Sequence, residues 1–149
     1  MKIRSLSPLF AVAGLMLLST TVSAAELRVR CEQRTTPARS KISVDAKDLA
    51  QPNAMYSARV ISGGNQSTHA PLTAVGDEVE FDFDSNANDI AAGAQAVANN
   101  FIVGGAVQAA LFDSAGQMVI GPVSASCRVR SPIKTGCVRA PFAGCGKTP

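Results

Sequence analysis

Apolar and polar positions alternate along most of the chain beyond its first two dozen residues, the two-residue period of strands that bury one face. Leu27-Arg28-Val29-Arg30-Cys31 begins the pattern, and Ile42, Val44 and Ala46 repeat it against Ser43, Asp45 and Lys47. Tyr56, Ala58 and Val60 interleave with Ser57 and Arg59 until Gly63-Gly64-Asn65 interrupts, and Pro71 to Val75 is a weaker candidate strand. The clearest run is Glu78-Val79-Glu80-Phe81-Asp82-Phe83-Asp84, which predicts Val79, Phe81 and Phe83 in the core and Glu80 and Asp82 in water. Ala106 to Phe112 forms another strand, and Asp113-Ser114-Ala115-Gly116 is a turn of hairpin type. The return strand starts at Gln117 and meets Gly121-Pro122, which suits a bulge or a sheet edge. A last strand places Val123, Ala125, Cys127 and Val129 on one face and Ser124, Ser126, Arg128 and Arg130 on the other.

Between these runs, residues 89–101 predict a short helical turn within a long connection. Asn88 or Asp89 would cap it, and Ile90, Ala94, Val97 and Phe101 would share its inner face, although Gly93 and Asn99-Asn100 weaken the helix. Residues 131–149 have no periodicity and contain Pro and Gly at short intervals, the pattern of an irregular tail held by its cysteines. Short strands separated by turn signals predict an all-β fold, an antiparallel sandwich of about seven strands that resembles the immunoglobulin-like architecture. The organisation expected is a leader over 1–24, one sandwich domain over 25–130 and the cysteine-containing tail over 131–149.

The opening residues change the reading of compartment and charge. Lys2 and Arg4 precede an apolar stretch from Pro8 to Leu18, and Val22-Ser23-Ala24 supplies small residues, the three parts of a signal peptide cleaved before Ala25. The apolar stretch is too short for a membrane span, so the mature chain is expected to carry no transmembrane segment and to be periplasmic or secreted. Of the 14 Lys and Arg residues two leave with the leader, whereas all 11 acidic residues remain, giving a mature net charge of +1. A polyanionic partner is therefore not implied, and nucleic acid is not an expected ligand, since Phe81 and Phe83 alternate with acids rather than with bases.

Four cysteines in an exported chain predict two disulfides. Cys31 shares its strand face with Leu27 and Val29, and Cys127 shares its face with Val123 and Val129, so both sulfurs point toward the apolar layer. That favours Cys31–Cys127 with Cys137–Cys145, against the competing pairing of Cys127 with Cys137 and Cys31 with Cys145.

The mature charges are sorted. Residues 26–47 and 114–149 are mainly basic, and residues 48–113 hold eight acidic groups and only Arg59. Opposite charges on neighbouring strands would explain this internally, with the acidic strand 78–84 beside one of the Arg-Val-Arg segments at 28–30 and 128–130. A basic patch that contacts an anionic glycan, lipid headgroup or protein is the sharper alternative.

Motifs with chemistry are few. Asp82, Asp84, Asn86 and Asp89 place oxygen ligands at alternating positions, as a calcium loop does, but Ala87 stands where the turn glycine belongs and Gly93 where a bidentate Glu belongs. Gly144-Cys145-Gly146-Lys147-Thr148 resembles the end of a phosphate loop, yet Pro141 occupies the position of the required first glycine. His69, the single histidine, lies in a polar stretch expected to be an exposed loop, and Asn65-Gln66-Ser67 fits a glycosylation sequon. No acid–base or nucleophile constellation emerges, so no catalytic residue and no cofactor are expected. The expected role is that of a non-catalytic exported protein that binds an envelope protein or glycan, or serves a structural purpose in the envelope. The alternative is a calcium-dependent or glycan-binding module using the acidic 82–89 segment.

Overall fold

The computed structural model describes residues 24–131. Ten strands and one short helix follow in order: β1 Glu26–Thr35, β2 Ala38–Lys47, β3 Met55–Ser62, β4 Asn65–Thr68, β5 Leu72–Thr73, β6 Val79–Asp84, α1 Ala87–Ala91, β7 Gln95–Ala96, β8 Ala106–Asp113, β9 Met118–Ser126 and β10 Arg128–Arg130. They form two sheets, β10-β1-β2-β6-β7 and β4-β3-β8-β9, with β5 added to β3. The fold is an all-β sandwich, as the alternation implies. Most pairings are antiparallel, whereas β10 on β1 and β7 on β6 are parallel.

The inward positions of the central strands make the core. Ile42 and Val44 lie opposite Phe83 and Phe81 in one sheet, and Ala58 and Val60 lie opposite Leu111 and Ala109 in the other. All four apolar side chains of the first sheet are fully buried, as are Val60 and Leu111. Each large side chain so placed contributes about 1.5–3 kcal/mol through the area it removes from water.

Two buried serines hold the long connection between β7 and β8 against this core. Ser40 Oγ donates to the Asn99 carbonyl at 2.9 Å and accepts from the Ile102 amide at 3.2 Å. Ser62 Oγ donates to the Ala106 carbonyl at 2.6 Å and accepts from the Val103 amide at 2.8 Å. The hydroxyls bond backbone groups of the connection and of the start of β8, which would otherwise be costly to bury. Phe101 and Ile102 are thereby held in the core.

The helix is shorter and earlier than its sequence pattern implies. Asn86, two residues before the first of the expected caps, accepts the Asn88 amide at 2.9 Å, and the helix has ended by the cap at Ala92. Gly93 follows with φ +114°, and Val97 and Phe101 reach the core from non-helical chain rather than from a helix face. The final strand also differs. Instead of one strand from 123 to 129, the chain pairs with β8 as far as Ser126, passes Cys127 and joins the opposite sheet at Arg128. This change of sheet leaves Val129 exposed rather than inward.

Gly121-Pro122 lies within β9, which is both an edge strand and a bulged one, since its register against β8 shifts after Ala109. Gly121 has φ +108°, and a Cβ there would sit 2.9 Å from the Ala109 carbonyl oxygen and 3.0 Å from Ala110 Cα, both backbone atoms. Gly121→Ala is therefore expected to destabilise the fold by about 1–3 kcal/mol through this clash. Phe81→Ala should cost about 3–5 kcal/mol as a large-to-small core change, and Asp82→Ala under ~1 kcal/mol. Urea unfolding measures all three, and equal losses for the two β6 substitutions would contradict the strand orientation.

Candidate functional site

The outward face of the sheet formed by β10, β1, β2 and β6 carries most of the charge. Arg28 faces Asp45, which faces Glu80; Arg30 faces Ser43, which faces Asp82; Glu32 faces Lys41, which faces Asp84. Positive charge thus lies toward one edge and negative charge toward the other. The acidic strand does not lie beside an Arg-Val-Arg segment, as the sequence suggested, because β2 separates β6 from β1. The two Arg-Val-Arg segments are instead on neighbouring strands, with Arg128 and Arg130 level with Glu32 and Arg34.

Glu32 makes that neighbourhood tolerable. It accepts from Arg34 Nε at 2.8 Å and forms an ion pair with Arg130, whose Nε lies 2.8 Å from its Oε2. The Arg34 hydrogen bond and the charge of Arg130 hold its carboxyl below the usual range, against the opposing effect of partial burial. Arg30 performs a similar task one row away. It lies 2.8 Å from Asp45 and 3.8 Å from Glu80, two carboxylates placed directly opposite each other. Partial burial, together with the charges of Asp45 and Asp82, raises the pKa of Glu80.

The residues expected to bind calcium are engaged as follows. Asp84, at a polar position of the alternation, is nonetheless buried, and its Oδ1 accepts from Arg39 Nε at 2.8 Å and from the Asn86 amide at 2.9 Å. Arg39 Nη2 bonds Asp84 Oδ2 and, at 2.9 Å, Asp89 Oδ2, so one guanidinium joins β2, β6 and α1. Asp89 also faces Lys41 at 3.7 Å, Asn86 caps the helix, and Asp82 accepts from Ser43 Oγ while only half exposed. Among the described residues no group of three or more His, Cys, Asp or Glu side chains is arranged to hold a metal ion. Arg39 was not among the residues singled out in the sequence; the only signal was its cationic side chain on the polar face, three strand positions from Ile42.

His69 is not an exposed loop residue. Its ring is buried and meets Phe81 and Phe83 edge-on, with centroids at 5.3 and 5.7 Å. Its amide donates to the Ala58 carbonyl at 2.9 Å, and its Nδ1 lies 2.8 Å from the Ala70 carbonyl oxygen. The chain crosses there from β4 toward β5, and the imidazole seals the core beside β6. It also forms one wall of a small acidic notch of about 210 Å³, with Glu80, Asp82 and Asp84.

The larger depression, about 630 Å³, opens on the basic side, where Arg30, Lys41 and Arg128 surround Ser43 and Ser126. Behind it Cys31 and Cys127 form a disulfide, with Cα atoms 4.6 Å apart, as their strand faces implied. Cys137 and Cys145 lie outside the described residues. No helix among the described residues is long and apolar enough to cross a membrane. No protein-family model, curated protein or solved structure matches this chain.

The buried Arg39–Asp84 pair leads to a pH prediction. Arg39 and the Asn86 amide favour the charged Asp84 carboxyl, and although burial opposes them the pKa is lowered. A lowered folded-state pKa gives stability that is complete above the unfolded value, near 3.9, and is lost as pH falls through the folded value. Asp84→Asn should cost about 2 kcal/mol at neutral pH, less than a fully lost buried pair because Asp89 still holds Arg39. The acid limb of its stability profile should also be shallower than the wild type's. Urea midpoints measured down to acid pH would show this, and superimposable acid limbs would contradict it.

Proposed function

We propose that the chain is an exported, non-catalytic sandwich of the immunoglobulin-like kind, periplasmic or secreted, with a binding or structural role in the cell envelope. The observation that carries this reading is the use made of its reactive side chains. Asp84, Asp89, Asp45 and Glu32 are committed to arginines, His69 seals the core, and Cys31 and Cys127 are joined. Groups so engaged stabilise a scaffold; they are not poised to exchange protons with a substrate. A disulfide tied into the core suits an oxidising compartment and hence export past a leader ending at Ala24. Two mainly antiparallel sheets of modest size support the immunoglobulin-like reading. The basic depression beside Arg128 is the surface best suited to an envelope protein or glycan.

The test is fractionation of cells expressing the full-length chain, with thiol trapping and intact-mass measurement. The expected product lies outside the cytoplasm, begins at Ala25 and has Cys31 and Cys127 blocked to alkylation. A cytoplasmic product retaining Met1 and free thiols would contradict the proposal. Calcium distinguishes the alternative module built on Asp82, Asp84, Asn86 and Asp89. The scaffold reading expects no change in Tm with millimolar calcium, whereas a ligand bound only by the folded state must raise it.

A further inference from the structure

The outward face of the second sheet carries far less charge than that of the first. Its register sets Thr68, Arg59 and Ala110 in one row, Gln66, Ile61 and Gln108 in the next, and Ser57, Phe112 and Met118 in another. Arg59 is the single charged side chain in these rows. Ala110 and Phe112 are buried, yet they stand apart from the core that Val107, Ala109 and Leu111 of the same strand help to form. Ile61 and Met118 are exposed beside them. Arg59 covers Phe112, with its guanidinium carbon 4.5 Å from the ring centroid.

This guanidinium has no anion. None of the ion pairs among the described residues includes Arg59, and its Nε is buried without a hydrogen-bond partner. An unpaired buried donor is costly, and the cost falls when an acceptor reaches the group. All 11 acidic residues of the chain lie between Glu26 and Asp113, within the described residues. An acidic partner for Arg59 is therefore not found among the chain's own side chains. Beside the guanidinium lies a notch of about 160 Å³, walled by Arg59, Ile61, Ala110, Phe112, Met118 and Pro122. An apolar cavity of about 150 Å³ is enough to hold a benzene ring. The notch thus combines room for one ring with a planar cation whose geometry matches a carboxylate.

We propose that this notch is a binding site for a small aromatic carboxylate, with the ring in its apolar part and the carboxylate paired with Arg59. The site lies on the opposite sheet from the basic depression and stands independently of it. A second copy of the chain is disfavoured as the occupant, because a two-fold contact through this face would bring the Arg59 side chains of both copies together.

Phenylacetate is the probe, titrated against the mature, disulfide-intact protein while backbone amide chemical shifts are followed. Saturable shifts are expected at residues 59, 61, 110, 112 and 118, with a Kd of about 1 mM, as suits a ligand of so few atoms. Phenylacetamide keeps the ring without the charge, and acetate keeps the charge without the ring; each should bind about tenfold more weakly or worse. Arg59→Gln should weaken phenylacetate binding about tenfold, whereas Arg28→Gln, on the other sheet, should leave it unchanged. Met118→Glu, at an exposed position opposite Phe112, spares the core and offers Arg59 a carboxylate of its own. It should close the notch to the probe, and it tests the site even if Arg59→Gln fails to fold. Equal binding of phenylacetamide, undiminished binding by folded Arg59→Gln or by Met118→Glu, or shifts that fail to saturate or fall on other strands would each overturn the proposal. Dimerisation through this face without probe binding would overturn it too. None of these outcomes bears on where the protein is exported or where its leader is cut, so the two proposals fail separately.

Discussion

The disulfide between Cys31 and Cys127 sits where the chain passes from one sheet to the other, and the rest of the sandwich is arranged around that junction. Before it, β9 pairs with β8; after it, β10 pairs with β1. The Cys127 amide donates to the Gly105 carbonyl at 2.8 Å, so backbone and sulfur fix the crossing together. The covalent link spans a sequence separation of 96 residues, for which chain-entropy reasoning gives about 4–5 kcal/mol. It also determines where β10 meets β1.

Charge is organised by the same geometry. With β10 and β1 adjacent, arginines of both Arg-Val-Arg segments share one edge, and Glu32 bridges Arg34 and Arg130. At the other side of β2, Arg39 gathers Asp84 and Asp89 and so anchors β6 and α1 to β2. Complementarity accounts for most of the sorted charge in the sequence. Among the described residues Arg28 and Arg128 are the portion of this face that it leaves without an ion pair.

The alternation of side chains made the strand faces legible. Phe81 and Phe83 are in the core, Gly121-Pro122 marks a bulged edge, and Cys31 and Cys127 face each other. A period of two gives the face of each residue but not the neighbour of each strand. Hence the separation of β6 from β1 by β2 could not be read, nor the switch of sheets at Cys127. His69 was misread, and the burial of Asp84 was not legible, for a related reason. Each is polar by composition and buried by tertiary context, one against two phenylalanine edges and the other beneath Arg39. The capping of α1 by Asn86 rather than Asn88 was a choice among neighbouring residues with the same capping chemistry.

The most direct test of the junction is peptide mapping of the mature protein without reduction. Cleavage after Arg30, Arg34 and Arg128 should recover the peptide containing Cys31 joined to the one containing Cys127, with Cys137 joined separately to Cys145. Recovery of Cys127 linked to Cys137 would contradict the account, because β10 would then not be held against β1 by the crossing described here.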